Sequence, residues 1–119
     1  MPISRSELIN LIGDVIFKIN SRLTDLDQGQ PDWVTLDDLS DDLVHYQKKL
    51  IKVAFETGSE DFIKLTNALE QTNKKIDTTI NDVTKTAETI NNIAKFVGTV
   101  EKIVKLVGVF ALLLQPTGR

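Results

Sequence analysis

The side chains that could do chemistry in this chain are concentrated in one acidic stretch. Between Leu23 and Val44 there are seven aspartates and no lysine or arginine. The seven are Asp25, Asp27, Asp32, Asp37, Asp38, Asp41 and Asp42. Carboxylate oxygens suit hard cations such as Ca²⁺, but "DLDQG" places its glycine at position five, and no glutamate closes a calcium loop at position twelve. We therefore interpret this stretch as solvated acids that favour the start of a helix, and we predict no metal site.

Catalytic side chains are equally sparse. The single histidine, His45, lies beside Tyr46 and close to Lys48 and Lys49, which is typical of a surface or boundary position. Neither a glycine-rich phosphate loop nor a nucleophile elbow nor an HExxH motif occurs. The absence of cysteine excludes a thiol nucleophile, a thiolate metal site and a disulfide. The sequence predicts a protein that is not an enzyme and binds no cofactor, with catalysis assembled between subunits as the one arrangement left open.

The composition indicates one globular domain over residues 1–119. The chain is 41% hydrophobic and 26% charged, far from a disordered composition. A net charge of −3 disfavours nucleic acid as a partner. The N-terminus does not resemble a signal peptide, and the apolar part of the longest uncharged stretch, 106–118, ends well short of the roughly 20 residues that span a bilayer. These features predict a cytoplasmic protein.

Two short helices must position the acidic stretch. Ser4 and Glu7 have the spacing of a capping box, and apolar residues then recur every three or four positions, which predicts a helix over about 4–24. Thr35 and Asp38 have the same spacing, with Thr35 as the cap, and a similar apolar pattern predicts a second helix over about 35–56. The ten-residue linker makes the two helices antiparallel. Trp33 lies in the predicted turn, where it either packs the turn onto the bundle or remains exposed as an anchor for a partner.

The rest of the chain follows a heptad pattern. From Phe62, every seventh residue is apolar up to Ala111: Phe62, Leu69, Ile76, Val83, Ile90, Val97, Val104 and Ala111. So long a heptad predicts one long helix, about 59–115, and with it an all-α helical bundle of coiled-coil type. Gly98 is the one position where we consider a break. Because the pattern passes through Gly98 in phase, we favour a continuous or kinked helix.

The predicted helices differ in length, and this difference points to a partner. A helix over 59–115 would be about 85 Å long, whereas one over 35–56 covers only about 33 Å. Part of the long helix would stay uncovered, so we expect a homo-oligomer, a dimer by base rate, or another protein partner. The interaction seam we predict comprises Phe62, Leu65, Leu69, Ile76, Val83, Ile90, Val97, Val104, Val107, Phe110 and Leu114.

Three threonines interrupt the middle of this seam, at Thr72, Thr79 and Thr86. They have two interpretations. Polar seam residues can fix the register and number of partners at some cost in stability. Alternatively, the hydroxyls bond back to their own helix in a partly solvated stretch, which we favour.

The apolar C-terminal stretch suggests how the protein works. Beyond Lys105 no charged residue follows until Arg119, so a helix here would be apolar on all sides. Such a helix is buried in protein or in a membrane. We favour burial in protein, and hence a non-catalytic oligomeric interaction or scaffolding module. The alternative is a membrane-active or membrane-associated helical effector, of the small pore-forming type, that uses residues 97–114.

Overall fold

The computed structural model describes the backbone of residues 3–114 and the side chains of residues 3–108. Four α-helices form: α1 (Arg5–Leu23), α2 (Pro31–Lys52), α3 (Glu60–Thr79) and α4 (Thr86–Leu114). A single 3₁₀ turn, Val83–Lys85, separates α3 from α4. The described range contains no β-strand, so the predicted all-α fold is confirmed.

Helix α1 begins where the capping box predicts. The Ser4 hydroxyl accepts a hydrogen bond from the Glu7 amide at 3.1 Å, and the Glu7 carboxylate accepts one from the Ser4 amide at 3.1 Å. Apolar residues three or four positions apart are fully buried along the helix: Leu8, Ile12, Val15 and Ile19. This face therefore supplies one wall of the core.

Helix α2 begins four residues earlier than the sequence predicts. It starts at Pro31 rather than at position 35, because the fixed φ of proline suits the first position of a helix. Gly29 precedes it with a φ of +100°, a conformation that glycine adopts without strain. Trp33 consequently lies in the first turn of α2, where it is half-buried, and not in the connecting turn.

The four helices form two antiparallel hairpins that pack side by side. In the first, the Ser40 hydroxyl of α2 donates to the Asn20 side chain of α1 at 3.2 Å. In the second, the Thr89 hydroxyl of α4 donates to that of Thr79 in α3 at 2.8 Å. Helix α2 packs beside α4. The predicted antiparallel arrangement of the first two helices is confirmed.

The predicted long helix over 59–115 is wrong, because the chain turns back between Thr79 and Thr86. The Asp82 carboxylate accepts hydrogen bonds from the Thr84 amide at 2.9 Å and the Thr84 hydroxyl at 2.6 Å, which hold the pKa of Asp82 below its usual value. Such local bonds compete with helical ones. Helix α4 in turn runs through Gly98 without a break.

This turn reduces the length mismatch. Helix α3 has 20 residues and α4 has 29, so they are about 30 and 43 Å long, against roughly 33 Å for α2. Helix α3 therefore matches α2 in length, and only α4 is longer, by about 10 Å. The long uncovered seam predicted on a continuous helix over 59–115, from which we expected an oligomer, is therefore not present in the described residues.

The buried face also changes between the two helices. In α3 it follows the predicted heptad positions Phe62, Leu69 and Ile76. In α4 the fully buried apolar residues are Ile93 and Val100, at position d of the predicted heptad three residues after the line from Phe62, and Phe96 and Ile103 beside them. Val83, in the turn, is 66% exposed and so contradicts its predicted burial. Because the chain turns between α3 and α4, the two helices can bury different heptad positions. A continuous helix would bury the same positions along its whole length.

The seam threonines bond back to their own segments, as we favour from the sequence. The hydroxyls of Thr72, Thr79 and Thr86 donate to the carbonyls of residues three or four positions earlier, at 2.9, 3.4 and 2.9 Å. Thr79 is nevertheless buried rather than solvated. Its bond from Thr89 joins the two helices next to the turn.

Candidate interaction surface at the end of helix α4

Most of the predicted seam lies in the core of the same chain. The buried members are Phe62, Leu69, Ile76, Val97 and Val107, and the half-buried ones are Leu65, Ile90 and Val104. Val83 is exposed, and the side chains of Phe110 and Leu114 lie outside the described residues. The C-terminal part of the seam, near Val104 and Val107, borders an open groove.

This groove lies between the C-terminal ends of α2 and α4 and has a volume of about 430 Å³. Its lining, which defines the α2/α4 groove, is Lys49, Leu50, Lys52, Val53, Val104, Lys105, Val107 and Gly108. The four large apolar residues form its floor, and the three lysines are exposed. An apolar floor with a cationic rim suits an apolar segment that carries negative charge.

The end of α2 is fixed by a residue from α1. The Arg5 guanidinium donates hydrogen bonds to the carbonyls of Leu50, Ile51 and Val53 at 3.2, 2.6 and 2.9 Å. Carbonyls at the end of a helix have no partner within the helix, so Arg5 satisfies groups that would otherwise need water. Arg5 also lies over the ring of Phe55, 5.8 Å from its centroid. The floor of the α2/α4 groove is thereby held in place.

A second contact fixes α2 against α4. The Tyr46 hydroxyl donates to the Glu101 carboxylate at 2.7 Å, and the Lys105 ammonium donates to the same carboxylate at 3.3 Å. The bond to Glu101, together with burial, raises the pKa of Tyr46 to about 12. The bonds from Tyr46 and Lys105 lower the pKa of Glu101. Lys105 is thus held at the rim of the groove.

The other two rim lysines have no such partner. In the part of the chain that the structure describes, ion pairs within 4.0 Å join Lys64 to Glu60 and Lys105 to Glu101, but none includes Lys49 or Lys52. Lysines are favoured in the last turn of a helix because they oppose its dipole. Their ammonium groups remain available to a ligand of the groove.

A second groove, of about 400 Å³, lies on the other side of α4. It is lined by Asp61, Lys64, Leu65, Lys102, Lys105 and Leu106. Its floor has only two large apolar residues, and Asp61 places an acid in its wall. It therefore fits an apolar segment with a negative end less well than the α2/α4 groove does.

Gly108 leaves open space at the end of the α2/α4 groove. A Cβ atom built on Gly108 meets, among the described residues, no heavy atom within 4 Å outside its own stretch of helix, and the same is true of Gly98 ten residues earlier. From Gly108, α4 continues to Leu114 through six residues of sequence VFALLL. The groove thus lies directly before the most apolar stretch of the chain.

The acidic stretch does not form an enclosed site. The carboxylates of Asp37, Asp38 and Asp41 lie within 4.8 Å of one another, and Asp41 is three or four positions from the other two on the same helix. Calcium takes six to eight oxygen ligands, and among the described residues no other element adds a carboxylate to this group. His45 is exposed, and its ring packs against that of Tyr46, with the centroids 5.8 Å apart. Neither arrangement brings together groups that could catalyse a reaction.

Charged groups also meet between α1 and α3, where they hold the helices together. Lys18 forms ion pairs with Asp14 at 2.9 Å and Asp77 at 2.6 Å. Burial lowers the pKa of Lys18, but the two acids outweigh this effect and raise it. Arg22 is 4% exposed and donates to Asp25 at 3.3 Å and to the Thr86 hydroxyl at 2.9 Å. These contacts link α1 to α3 and to the start of α4.

Comparisons with known proteins add no relative. No family model, no curated protein and no solved structure matches the chain. Among the described residues, none of the helices combines the length and apolar character needed to cross a bilayer.

Sequence reasoning missed four contributors to this surface. Arg5 gives no local signal, because its carbonyl partners lie more than 40 residues away. Lys49 and Lys52 carry a weak one, since basic residues cluster at the ends of helices. Gly108 sits in an apolar run, and only the packing of α2 beside α4 shows that it adjoins a groove.

Proposed function

We propose that this chain is a non-catalytic helical interaction module that self-associates, as a dimer, through the apolar end of α4. The observation that carries the proposal is the α2/α4 groove, whose apolar floor ends at Gly108, where the VFALLL stretch begins. We do not assign the interaction to the whole predicted seam, because most of its residues are buried within one chain. What remains is its C-terminal end.

The free energies are consistent with a dimer of moderate affinity. The stretch 109–114 contains five large apolar residues and one alanine. Burying each large side chain contributes about 1.5–3 kcal/mol, so the set contributes on the order of 10 kcal/mol. Association costs about 4–15 kcal/mol because the two copies lose translational and rotational freedom, and the ordering of interface side chains adds to this cost. Reciprocal burial in two copies is therefore enough to offset that cost.

Light scattering coupled to size exclusion tests this proposal. At tens of micromolar we expect a mass of about twice the 13.3 kDa of one chain. A chain that ends after Gly108 keeps every side chain that the structure describes as buried, and should elute as a folded, helical monomer. A chain that ends after Lys105 also loses Val107, which is 2% exposed, and should melt at a lower temperature. A monomeric full-length chain, or a truncated chain that still dimerises, would contradict the proposal.

Binding to an anionic membrane surface is the second candidate function. Five lysines line the two grooves beside α4: Lys49, Lys52, Lys64, Lys102 and Lys105. Each lysine near an anionic surface contributes about 1 kcal/mol. Flotation with anionic and with neutral liposomes distinguishes the two candidates. A chain that is monomeric in solution and floats with anionic liposomes alone would replace the dimer with this function.

A further inference from the structure

We infer that the dimer forms by reciprocal insertion: residues 109–114 of each copy lie in the α2/α4 groove of the other. The inserted segment runs antiparallel to α4 of the copy that receives it, and Lys49, Lys52 and Lys105 of that copy face its C-terminal end. The inference rests on the proposed function and names the occupant of the groove. Four observations support it.

The first observation is that a chain cannot fill its own groove with this segment. The groove lies beside residues 104–108, and α4 continues as a helix to Leu114. A straight helix carries residues 109–114 away from that position, by about 9 Å over six residues. A second copy, related by a two-fold axis near residue 109, brings the same segment back alongside it.

The second observation is that this arrangement closes on itself. Each copy supplies one groove and one apolar segment, so a two-fold axis satisfies both at once. Helices α2 and α4 run in the same direction at the groove, since Tyr46 contacts Glu101 and Val53 and Gly108 both line the end of the groove. With two copies, the groove of each receives the VFALLL stretch of the other, so this pair of surfaces is not left to bind a third copy.

The third observation is the charge of the rim. The last four carbonyls of a helix have no intrahelical partner and carry about half a negative charge. At the end of α4, VFALLL contains no basic side chain that could face these carbonyls. Lys49 and Lys52 of the receiving copy have no carboxylate within 4.0 Å among the described residues. The Asp61 wall of the other groove would repel the same end.

The fourth observation is the open space at Gly108. Apart from its own stretch of helix, none of the described residues lies within 4 Å of a Cβ atom built there, so a helix from a second copy can approach the backbone closely. A side chain placed at this position should therefore disturb the dimer and not the fold. Gly98 offers a matched control, because it has the same open space on the same helix but lies away from the groove.

Cross-linking of the full-length chain tests the arrangement. The chain contains no cysteine, so single cysteines report defined positions. Chains that carry Lys49→Cys, at the groove rim, are mixed with differently tagged chains that carry Leu113→Cys and treated with a short bismaleimide. We expect a cross-linked species that contains one chain of each tag. Asn81→Cys, exposed in the turn between α3 and α4, replaces Lys49→Cys as the control and should give none.

Glycine variants and light scattering separate the possible results. Gly108→Glu introduced into both chains should abolish the cross-link, whereas Gly98→Glu should preserve it, with the same helical circular dichroism in both. A dimer by light scattering without the 49–113 cross-link would overturn this arrangement and leave the proposed function standing. A full-length chain that is monomeric by light scattering would overturn both the reciprocal arrangement and the proposed function. A cross-link equally strong from position 81 would show non-specific association and also overturn it.

Discussion

Replacing Ile76 with aspartate should unfold most of the protein, whereas the same replacement at Val83 should change the free energy of unfolding by less than about 0.5 kcal/mol. The two residues occupy equivalent heptad positions, seven residues apart. Ile76 is fully buried in α3, and Val83 is 66% exposed in the turn that follows. An unpaired carboxylate in an apolar core costs several kcal/mol unless it protonates.

Thermal melting followed by circular dichroism checks this difference. For Ile76→Asp we expect the melting temperature to fall by more than about 10 °C, since a domain of this size loses roughly 4 °C for each kcal/mol. Val83→Asp should melt within about 2 °C of the unaltered chain. Equal, large losses in both variants would mean that the heptad continues through the turn as one buried seam.

Replacing Arg5 with alanine should lower the free energy of unfolding by about 1.5–3 kcal/mol. The guanidinium serves three carbonyls at the end of α2, and hydrogen bonds to a charged group contribute more than neutral ones. Without it, the last turn of α2 should fray, and the floor of the α2/α4 groove with it. We therefore also expect weaker dimerisation in this variant.

Urea unfolding measures how much the free energy of unfolding falls in Arg5→Ala, and two further variants serve as controls. Arg5→Lys keeps the charge but cannot reach three carbonyls from one planar group, so it should recover only part of the stability. Lys64→Ala removes an exposed pair with Glu60, whose side chains are 71% and 83% exposed, and should cost little. A loss at Arg5 no larger than that at Lys64 would mean that the contact with α2 is not stabilising.

The capping box and the three–four spacing were enough to predict the first two helices. These signals are local: Ser4 and Glu7 are three residues apart, and the buried residues of α1 follow directly from their spacing. The start of α2 was missed because the prediction relied on Thr35 as a cap, whereas Pro31 needs no side-chain cap to begin a helix. The all-α class depended on neither detail.

The turn at residues 80–85 was not predicted because the heptad keeps its phase across it. Leu69 and Ile90 fit one pattern although they belong to different helices, since each helix turns an apolar face to the same core. The local signals were the β-branched run "TTINDVTKT" and Asp82, which bonds to Thr84. Such signals are weak beside a long periodic pattern, and only tertiary packing decides between them.

The candidate surface was predicted in part. The apolar run after Lys105 marked the end of α4 as a place that needs covering, and this expectation still motivates the proposal. The groove that adjoins it joins Lys49 and Leu50 to Val104 and Lys105, which are more than 50 residues apart in the chain. No periodicity relates these residues, so they come together only through the packing of α2 beside α4.

A distance between two spin labels tests most directly the central claim, that the seam closes within one chain because α4 folds back along α3. Lys64→Cys and Lys102→Cys place both labels on the groove between α3 and α4, in a chain without other cysteines. Excess unlabelled chain removes distances between copies. Because packed helix axes lie about 8–10 Å apart, we expect double electron–electron resonance to give a distance between the two labels of less than about 25 Å. A distance near the roughly 57 Å of a continuous helix would contradict the account.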